Sequence, residues 1–395
     1  PGTPSHGALS SGGGRGGTAG GVPFDSQPED IDFLKVLRGH TRQVTAAVID
    51  PGTQRLYTGS QDGTVRCWLM AEADGSGTPG PVVDVGGEVD SLLLEGGFLF
   101  VGLHGPPPQR LGTIKAFNLA SGASCILEGH VGQVLCLAAA AGTLLSGGQD
   151  STIRAWSFDE ASSGFVAAGV LSAAQGGHTS PVQALAPAGQ FLVSGDWEGN
   201  LKIWDMSSGA CAQTLAKAHP SVVMGCLTWE GHVLSAGLDG AIKVWAPVEG
   251  VPGPGKVLEP APMYSHPPSS SESGSGGSGS GSSTGEPGQL LTANGSAASV
   301  TANSSGFGGI LALGGTVDAR GGALVAASHA DDGRVRLWEL PSFAEKGSLG
   351  GVADARALAL SPGGLVIAGD KRGVAKVWRW KTGGGAGGGG VGAAG

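Results

Sequence analysis

Four times along this 395-residue chain a histidine is followed, at matching distances, by a serine or threonine, an acid and a tryptophan. The quartets are His40–Thr58–Asp62–Trp68, His130–Ser146–Asp150–Trp156, His178–Ser194–Glu198–Trp204 and His219–Ser235–Asp239–Trp245. The acid stands six residues ahead of the tryptophan each time, and in three quartets the histidine stands 26 ahead of it. A pattern returning about every 40 residues marks a repeat architecture, in which each unit buries its apolar face only by stacking on its neighbours.

The units read as strands. In "RLYTGSQDGTVRCW" two alternating apolar runs flank an Asp62-Gly63 turn, which is the pattern of a hairpin. "TLLSGGQDSTIRAW", "FLVSGDWEGNLKIW" and "HVLSAGLDGAIKVW" repeat it, each behind a further apolar run such as "QVTAAVI" or "QVLCLAAA". A fourth run leads into the histidine, as in "DFLKVLRGH" and "SCILEGH". Four strands per ~40 residues make one blade of a propeller. Three weaker units complete the set: one ends on Phe117 and carries a proline-rich insertion at its turn, one has Asp332 but no serine read ahead of it, and one has Arg372 at the acid position. The markers Trp68, Phe117, Trp156, Trp204, Trp245, Trp338 and Trp378 predict an all-β, seven-bladed propeller.

Between Trp245 and Trp338 lie 93 positions, room for two blades. Residues 267–305 are rich in Ser, Gly and Pro, carry only Glu272 and Glu286 as charges and show no hairpin pattern, so they read as a disordered insertion rather than an eighth blade. The same composition marks 1–30 and 382–395 as disordered glycine-rich ends, leaving 31–381 as the propeller. "DFLKVL" (32–37) is a lone outer strand at its start, placed to complete the last blade and hide an exposed edge.

Within this pattern the Gly-His pairs at 39–40, 129–130 and 177–178 and the Trp-Asp at 204–205 resemble WD-repeat proteins. The resemblance implies that each His–Ser/Thr–acid–Trp set is a buried hydrogen-bonded chain and thus structural. The stretches "VGGEVDSLLLEGGFLFVG" (85–102), "GQVLCLAAAAGTLLSGGQDSTIRAW" (132–156), 219–250 and 340–380 are similar to the plant CCCH zinc-finger WD-repeat family, over about the whole of 31–381. In that family the fingers lie ahead of the propeller and imply RNA binding. This chain has no Cys–Cys–Cys–His cluster at finger spacing, so no zinc ligand is assigned to any residue. It opens on Pro1 rather than Met, and fingers are expected, if anywhere, before that residue.

The remaining chemistry is sparse. The net charge of −9 opposes a general nucleic-acid or anionic-membrane surface. Seven bases, Arg66, Lys115, Arg154, Lys202, Lys243, Arg336 and Lys376, each stand two residues before a blade-ending aromatic, a repeated strand position rather than a ligand site. The five cysteines (Cys67, Cys125, Cys136, Cys211 and Cys226) lack C-x-x-C spacing and suit buried reduced thiols, hence an intracellular protein, nuclear or cytoplasmic. "GVPGPGK" (250–256) copies a phosphate loop, but Val257 offers no hydroxyl to Mg²⁺ and two prolines remove donors. "GSSTG" (281–285) lies in low-complexity sequence. His6, His104, His232, His266 and His329 have no paired acid at a telling spacing, with His266 placed at the degenerate Gly-His position of the sixth blade. No catalytic residue, cofactor or metal is expected.

A partner is expected on the face formed by the Gly-His loops and hairpin turns, where the residue before each acid points outward: Gln61, Arg110, Gln149, Trp197, Leu238, Asp331 and Lys371. The insertions at 104–111 and 267–305 should open onto the same face. Trp197 and Leu238, from adjacent blades, form the expected hot spot. The reading is a monomeric, non-enzymatic scaffold for proteins or peptides, without membrane contact, and with RNA reached only through upstream fingers. The alternative is a ubiquitin-ligase substrate receptor, for which related propellers dock through Trp-Asp-x-Arg; "WDMS" (204–207) and "WRWK" (378–381) do not fit it.

Overall fold

The computed structural model describes residues 31–70, 77–105, 111–248, 257–266, 309–317 and 322–380. The expected disordered segments at 1–30, 267–305 and 382–395, the motif at 281–285 and Arg110 lie outside the described residues, as do 250–256. Among the described residues no helix is long and apolar enough to cross a membrane.

Among the described residues, twenty-eight strands form seven antiparallel four-stranded sheets. We number these blades 1 to 7 from the sheet that begins at Val44–Asp50. Within blades 1 to 6 the strands run outward in chain order, and their burial follows that order. The innermost strands alternate, whereas second strands such as Phe191–Asp196 and Leu365–Gly369 are buried almost throughout. They have neighbouring blades packed on both faces, which is why their sequence is a continuous run of small and β-branched residues. Outermost strands such as Gly164–Leu171 are largely exposed. Each innermost strand contacts the next one round, and that of blade 7 (Ala357–Leu360) contacts that of blade 1, so the ring is closed.

Blades lock together at two recurring points. A Cβ on Gly59 or Gly195 would collide with Val89 or Val223 at the start of the next blade, so the position after the quartet hydroxyl stays small for close approach. Side chains also bond across the gap: Ser91 Oγ donates to the Val134 carbonyl at 2.8 Å and Ser328 Oγ to that of Ala355 at 2.6 Å.

The last blade is made from both ends of the propeller. Ile31–Arg38 pairs antiparallel with Val374–Trp380, setting Ile31 opposite Trp380 and Phe33 opposite Trp378. Ile31 joins the core shared by blades 6 and 7, and Leu37 the one shared by blades 7 and 1. Deleting residues 31–38 removes two fully buried aliphatic side chains at ~1.5–3 kcal/mol each and exposes a strand edge. Urea unfolding of the truncated protein is expected to lose ~3 kcal/mol or more together with its single sharp transition; a parent-like curve would refute closure by this strand.

Candidate functional site: the loop-bearing face and its channel

The quartets converge as chains of hydrogen bonds. In blade 1, Trp68 Nε1 donates to Thr58 Oγ1 at 2.9 Å, His40 Nε2 lies 2.9 Å from the same oxygen, and His40 Nδ1 lies 3.0 Å from Asp62. Blade 3 repeats this with Trp156, Ser146, His130 and Asp150, and blade 5 with Trp245, Ser235, His219 and Asp239. One proton order satisfies every member: indole N–H to hydroxyl, hydroxyl O–H to Nε2, and Nδ1–H to an ionised carboxylate. Burial on its own would raise the Asp62 carboxyl, but bonds from Thr64, the Thr41 amide and His40 hold it at about 2. Burial likewise lowers His40 against the pull of Asp62, which keeps the ring neutral.

The hydroxyl–imidazole–carboxylate connection is that of a hydrolase triad, yet its environment is not. Thr58, Ser146, Ser194 and Ser235 are 0% exposed, and each oxygen is already occupied by an indole N–H. A nucleophile must reach substrate, and these hydroxyls are sealed inside the blades.

Blade 4 corrects the sequence reading. The carboxylate beside His178 is Asp196, at 2.8 Å, and not Glu198. Asp196 closes the second strand, fully buried, and also accepts from the Asn200 amide and side chain. Glu198 is exposed and only its backbone takes part, its amide donating to Asp196 at 3.0 Å. Blade 7 repeats the arrangement with buried Asp370, which accepts from the Arg372 amide and Nε, so Arg372 in the former acid position folds back on the true acid.

In blades 2 and 7 the hydroxyl and the histidine are replaced together. Strand register sets Val101 opposite Lys115 and Ala368 opposite Lys376, the places held by Thr58 opposite Arg66 in blade 1. The histidine positions are marked by their amide bonds: His219 N donates to Gly199 O, Val85 N to Gly63 O and Val352 N to Gly333 O. Blade 2 thus has Val85, Val101 and Phe117, and blade 7 has Val352, Ala368 and Trp378, each trio sharing one core. A half-satisfied buried network is worse than an apolar filling, and the substitutions are accordingly concerted. Blade 6 is mixed. Ser328 does stand ten residues before Trp338, as the quartet hydroxyls do, although the sequence reading found no serine there. Its hairpin is one residue longer, however, so Ala327 faces Arg336 and Ser328 turns toward blade 7. His266 packs edge-on against Trp338 at 5.0 Å, and burial, then His329 and Arg336, lower it to about 4. Asp332 pairs with Arg336 instead.

The arginines at the repeated strand position explain two of the three Gly-His pairs, while a Cβ on Gly177 would meet the Ser172 carbonyl instead. A Cβ on Gly39 or Gly129 would meet the guanidinium of Arg66 or Arg154 at 2.7 and 2.6 Å. In blade 5 the slimmer Lys243 donates to the carbonyl of Ala218, and alanine is tolerated before His219.

The proposed face residues sit at one structural position. The amides of Gln61, Gln149, Trp197, Leu238 and Lys371 donate to the carbonyls of Gln43, Gln133, Pro181, Val222 and Ala353. In blade 6 the residue making this bond is Ala330, to Gly309, which displaces Asp331 by one for the same reason of hairpin length. Gln149 turns back to the Gln133 amide and Lys371 pairs with Asp354 at 2.7 Å. Trp197 and Leu238 remain 41% and 38% exposed, with the Trp197 indole tethered to Gln183 at 2.9 Å.

Sequence reasoning missed the channel. In blades 1 to 6 the innermost strand carries a register break near its start that brackets Thr45, Asp90, Leu135, Gln183, Met224 and Leu311. A bulge re-aims a side chain, and all six line a central cavity of about 420 Å³ with Arg356 of blade 7 and with Gln61 and Trp197. Asp90 and Arg356 are the only charged residues in that lining. Burial first, then Glu88, raises the Asp90 carboxyl to about 7 against one bond from Gln133. The signal in the sequence was one residue per blade, just after the first buried Val or Ile, a comparison across blades rather than along the chain. Cys136, also in this lining, and Cys226 are pushed up by burial, the latter to about 12, and all five cysteines carry free thiols. Among the described residues no cluster of His, Cys, Asp and Glu is arranged to hold a metal.

The geometry agrees with known relatives. Residues 31–68, 123–157 and 169–205 match the family model for the WD domain, G-beta repeat. The chain is 32% identical over 355 residues to Zinc finger CCCH domain-containing protein 17 of Oryza sativa subsp. japonica, covering 90% of this chain and 67% of that protein. It is 33% identical over 363 residues to Zinc finger CCCH domain-containing protein 63 of Arabidopsis thaliana, covering 90% and 68%. The WD40 β-propeller domain of Doa1 superposes with a TM-score of 0.63 at 17% identity, over 89% of this chain and 97% of that domain, a likeness of fold.

Two outcomes check these assignments. Asp196→Asn is expected to lower stability by ~2 kcal/mol, the scale of a buried charge-assisted hydrogen bond, while Glu198→Gln stays within ~0.5 kcal/mol; equal effects in urea titration contradict the assignment. Asp90→Asn is expected to raise the melting temperature at pH 8 and to lose that advantage near pH 4. A carboxyl raised to about 7 on folding leaves native stability intact below its unfolded value of ~4 and erodes it as pH climbs through 7. Melting curves in which the variant gains nothing at pH 8 contradict this.

Proposed function

This chain belongs to the WD-repeat family of plant CCCH zinc finger domain-containing proteins, and on that footing we propose that it is a non-catalytic scaffold whose loop-bearing face holds protein or peptide partners. The observation that carries the reading is the pair Trp197 and Leu238, large apolar side chains left exposed at adjacent blades of a face whose turns are held by buried quartets. An aromatic and an aliphatic anchor on a rigid frame bind with little ordering cost, the usual make-up of an interface hot spot. The sealed hydroxyls supply no nucleophile, which favours binding over catalysis. The chain spans about two thirds of the length of the relatives it matches. In this reading nucleic-acid contact belongs to fingers ahead of the propeller and protein contact to the propeller, and the net charge of −9 over the whole chain suits that division. Free thiols in all five cysteines fit a reducing, intracellular setting.

The test is a quantitative pull-down comparing the parent propeller with Trp197→Ala/Leu238→Ala. With hot-spot truncation at ~2 kcal/mol, about thirtyfold in affinity, the double variant is expected to lose its partners while melting like the parent. Undiminished recovery of every partner would remove this face from consideration.

A further inference from the structure

The channel carries a charge that the folded chain leaves unanswered. Asp90 Oδ1 accepts from Gln133 at 3.2 Å, but Oδ2 is shut off from solvent and has no hydrogen-bond partner. Two acids next to the lining in sequence are matched, Glu88 by Arg42 at 2.6 Å and Asp354 by Lys371 at 2.7 Å. Arg356, the cation in the lining, forms no ion pair with Asp90, and blade 1 separates their two blades. Burial without a partner is what holds the Asp90 carboxyl far above its ordinary range, so the fold keeps a carboxylate where it is costly. The bulge after Val89 turns Asp90 toward the channel, and of its two oxygens Oδ1 alone is answered, by Gln133.

We propose that the channel is the socket for one lysine or arginine side chain of a bound polypeptide, with Asp90 as its counter-charge. The socket rests on the scaffold reading given above and names the chemistry that the face selects. A turn about the soft Cβ–Cγ torsion of Asp90 presents Oδ2 to the cavity, whose volume of about 420 Å³ exceeds that of a single side chain. Gln61 and Gln183 add polar side chains to the wall, and the Trp197 ring, held by Gln183, covers the aliphatic stem of the incoming residue. A nucleic acid is disfavoured by the same carboxylate. A basic side chain gains an ion pair in a water-poor site and relieves the desolvation that Asp90 suffers alone.

Selection of a random decapeptide phage library on the parent propeller tests this. Enriched peptides are expected to share a lysine or arginine, to lose at least tenfold in affinity when that residue becomes norleucine, and to lose as much on Asp90→Asn. Asp90→Asn keeps the side-chain shape and the acceptor for Gln133, and its melting curve verifies folding. Enriched peptides without a common base, or equal binding to parent and Asp90→Asn, overturn the socket. If such peptides are nonetheless lost on Trp197→Ala/Leu238→Ala, the scaffold face stands without the socket. Enrichment of nothing overturns the socket, leaving the pull-down to judge the face.

Discussion

A serine or threonine oxygen with no access to water, held between an indole and an imidazole, is the interaction on which the geometry of this propeller depends. Through it the third strand of a blade is tied to the second, and both to the loop arriving from the previous blade. The carboxylate at the far end of the imidazole gathers amides from that loop and from the hairpin turn, as Asp62 does for Thr41 and Thr64. Every polar atom in the chain is answered by another, so the arrangement has one good geometry and many poor ones. The turns carrying Gln61, Gln149 and Leu238 are therefore positioned by the interior of the blade and not by the surface.

The same rule explains the irregular blades. Removing the hydroxyl alone would strand the histidine, whereas replacing hydroxyl and histidine together leaves both of their positions apolar. Val85 with Val101, and Val352 with Ala368, are that second solution. Blade 6 departs from both, with His266 kept neutral against the face of aromatic rings. Where the quartets are absent, blades are still joined by backbone-directed bonds such as Ser328 to Ala355 and by the pairing of Ile31–Arg38 with Val374–Trp380. Recognition is then left to positions the frame does not consume. Trp197 and Leu238 at the rim keep exposed apolar surface and Asp90 in the channel keeps one oxygen unanswered, whereas Lys371, Gln149 and Glu88 are taken up by contacts within the frame.

Blade number, strand order and closure were legible in the chain because each is written locally. An alternating run, a Gly- or Asp-bearing turn and a terminal aromatic recur in every unit, and a lone apolar strand at 32–37 has one place to go. Even the quartets of blades 1, 3 and 5 could be counted out residue by residue. What counting could not settle was register. Asp196 and Glu198 are both acids near the right spacing, and only packing decides that the buried one ends the strand while the other faces water. One extra residue in the hairpin of blade 6 puts Ala327 and Ala330 where the spacing of the other blades would put Ser328 and Asp331. The channel is the extreme case: its wall takes one bulged residue from each of blades 1 to 6, far apart in sequence, and Asp90 meets Gln133 only where two neighbouring blades pack. Periodicity in the sequence thus determined the architecture, because hairpins and their alternation are short-range. The tertiary structure alone decided which charge is buried without a partner, because desolvation is a property of everything that surrounds an atom and not of its neighbours in the chain.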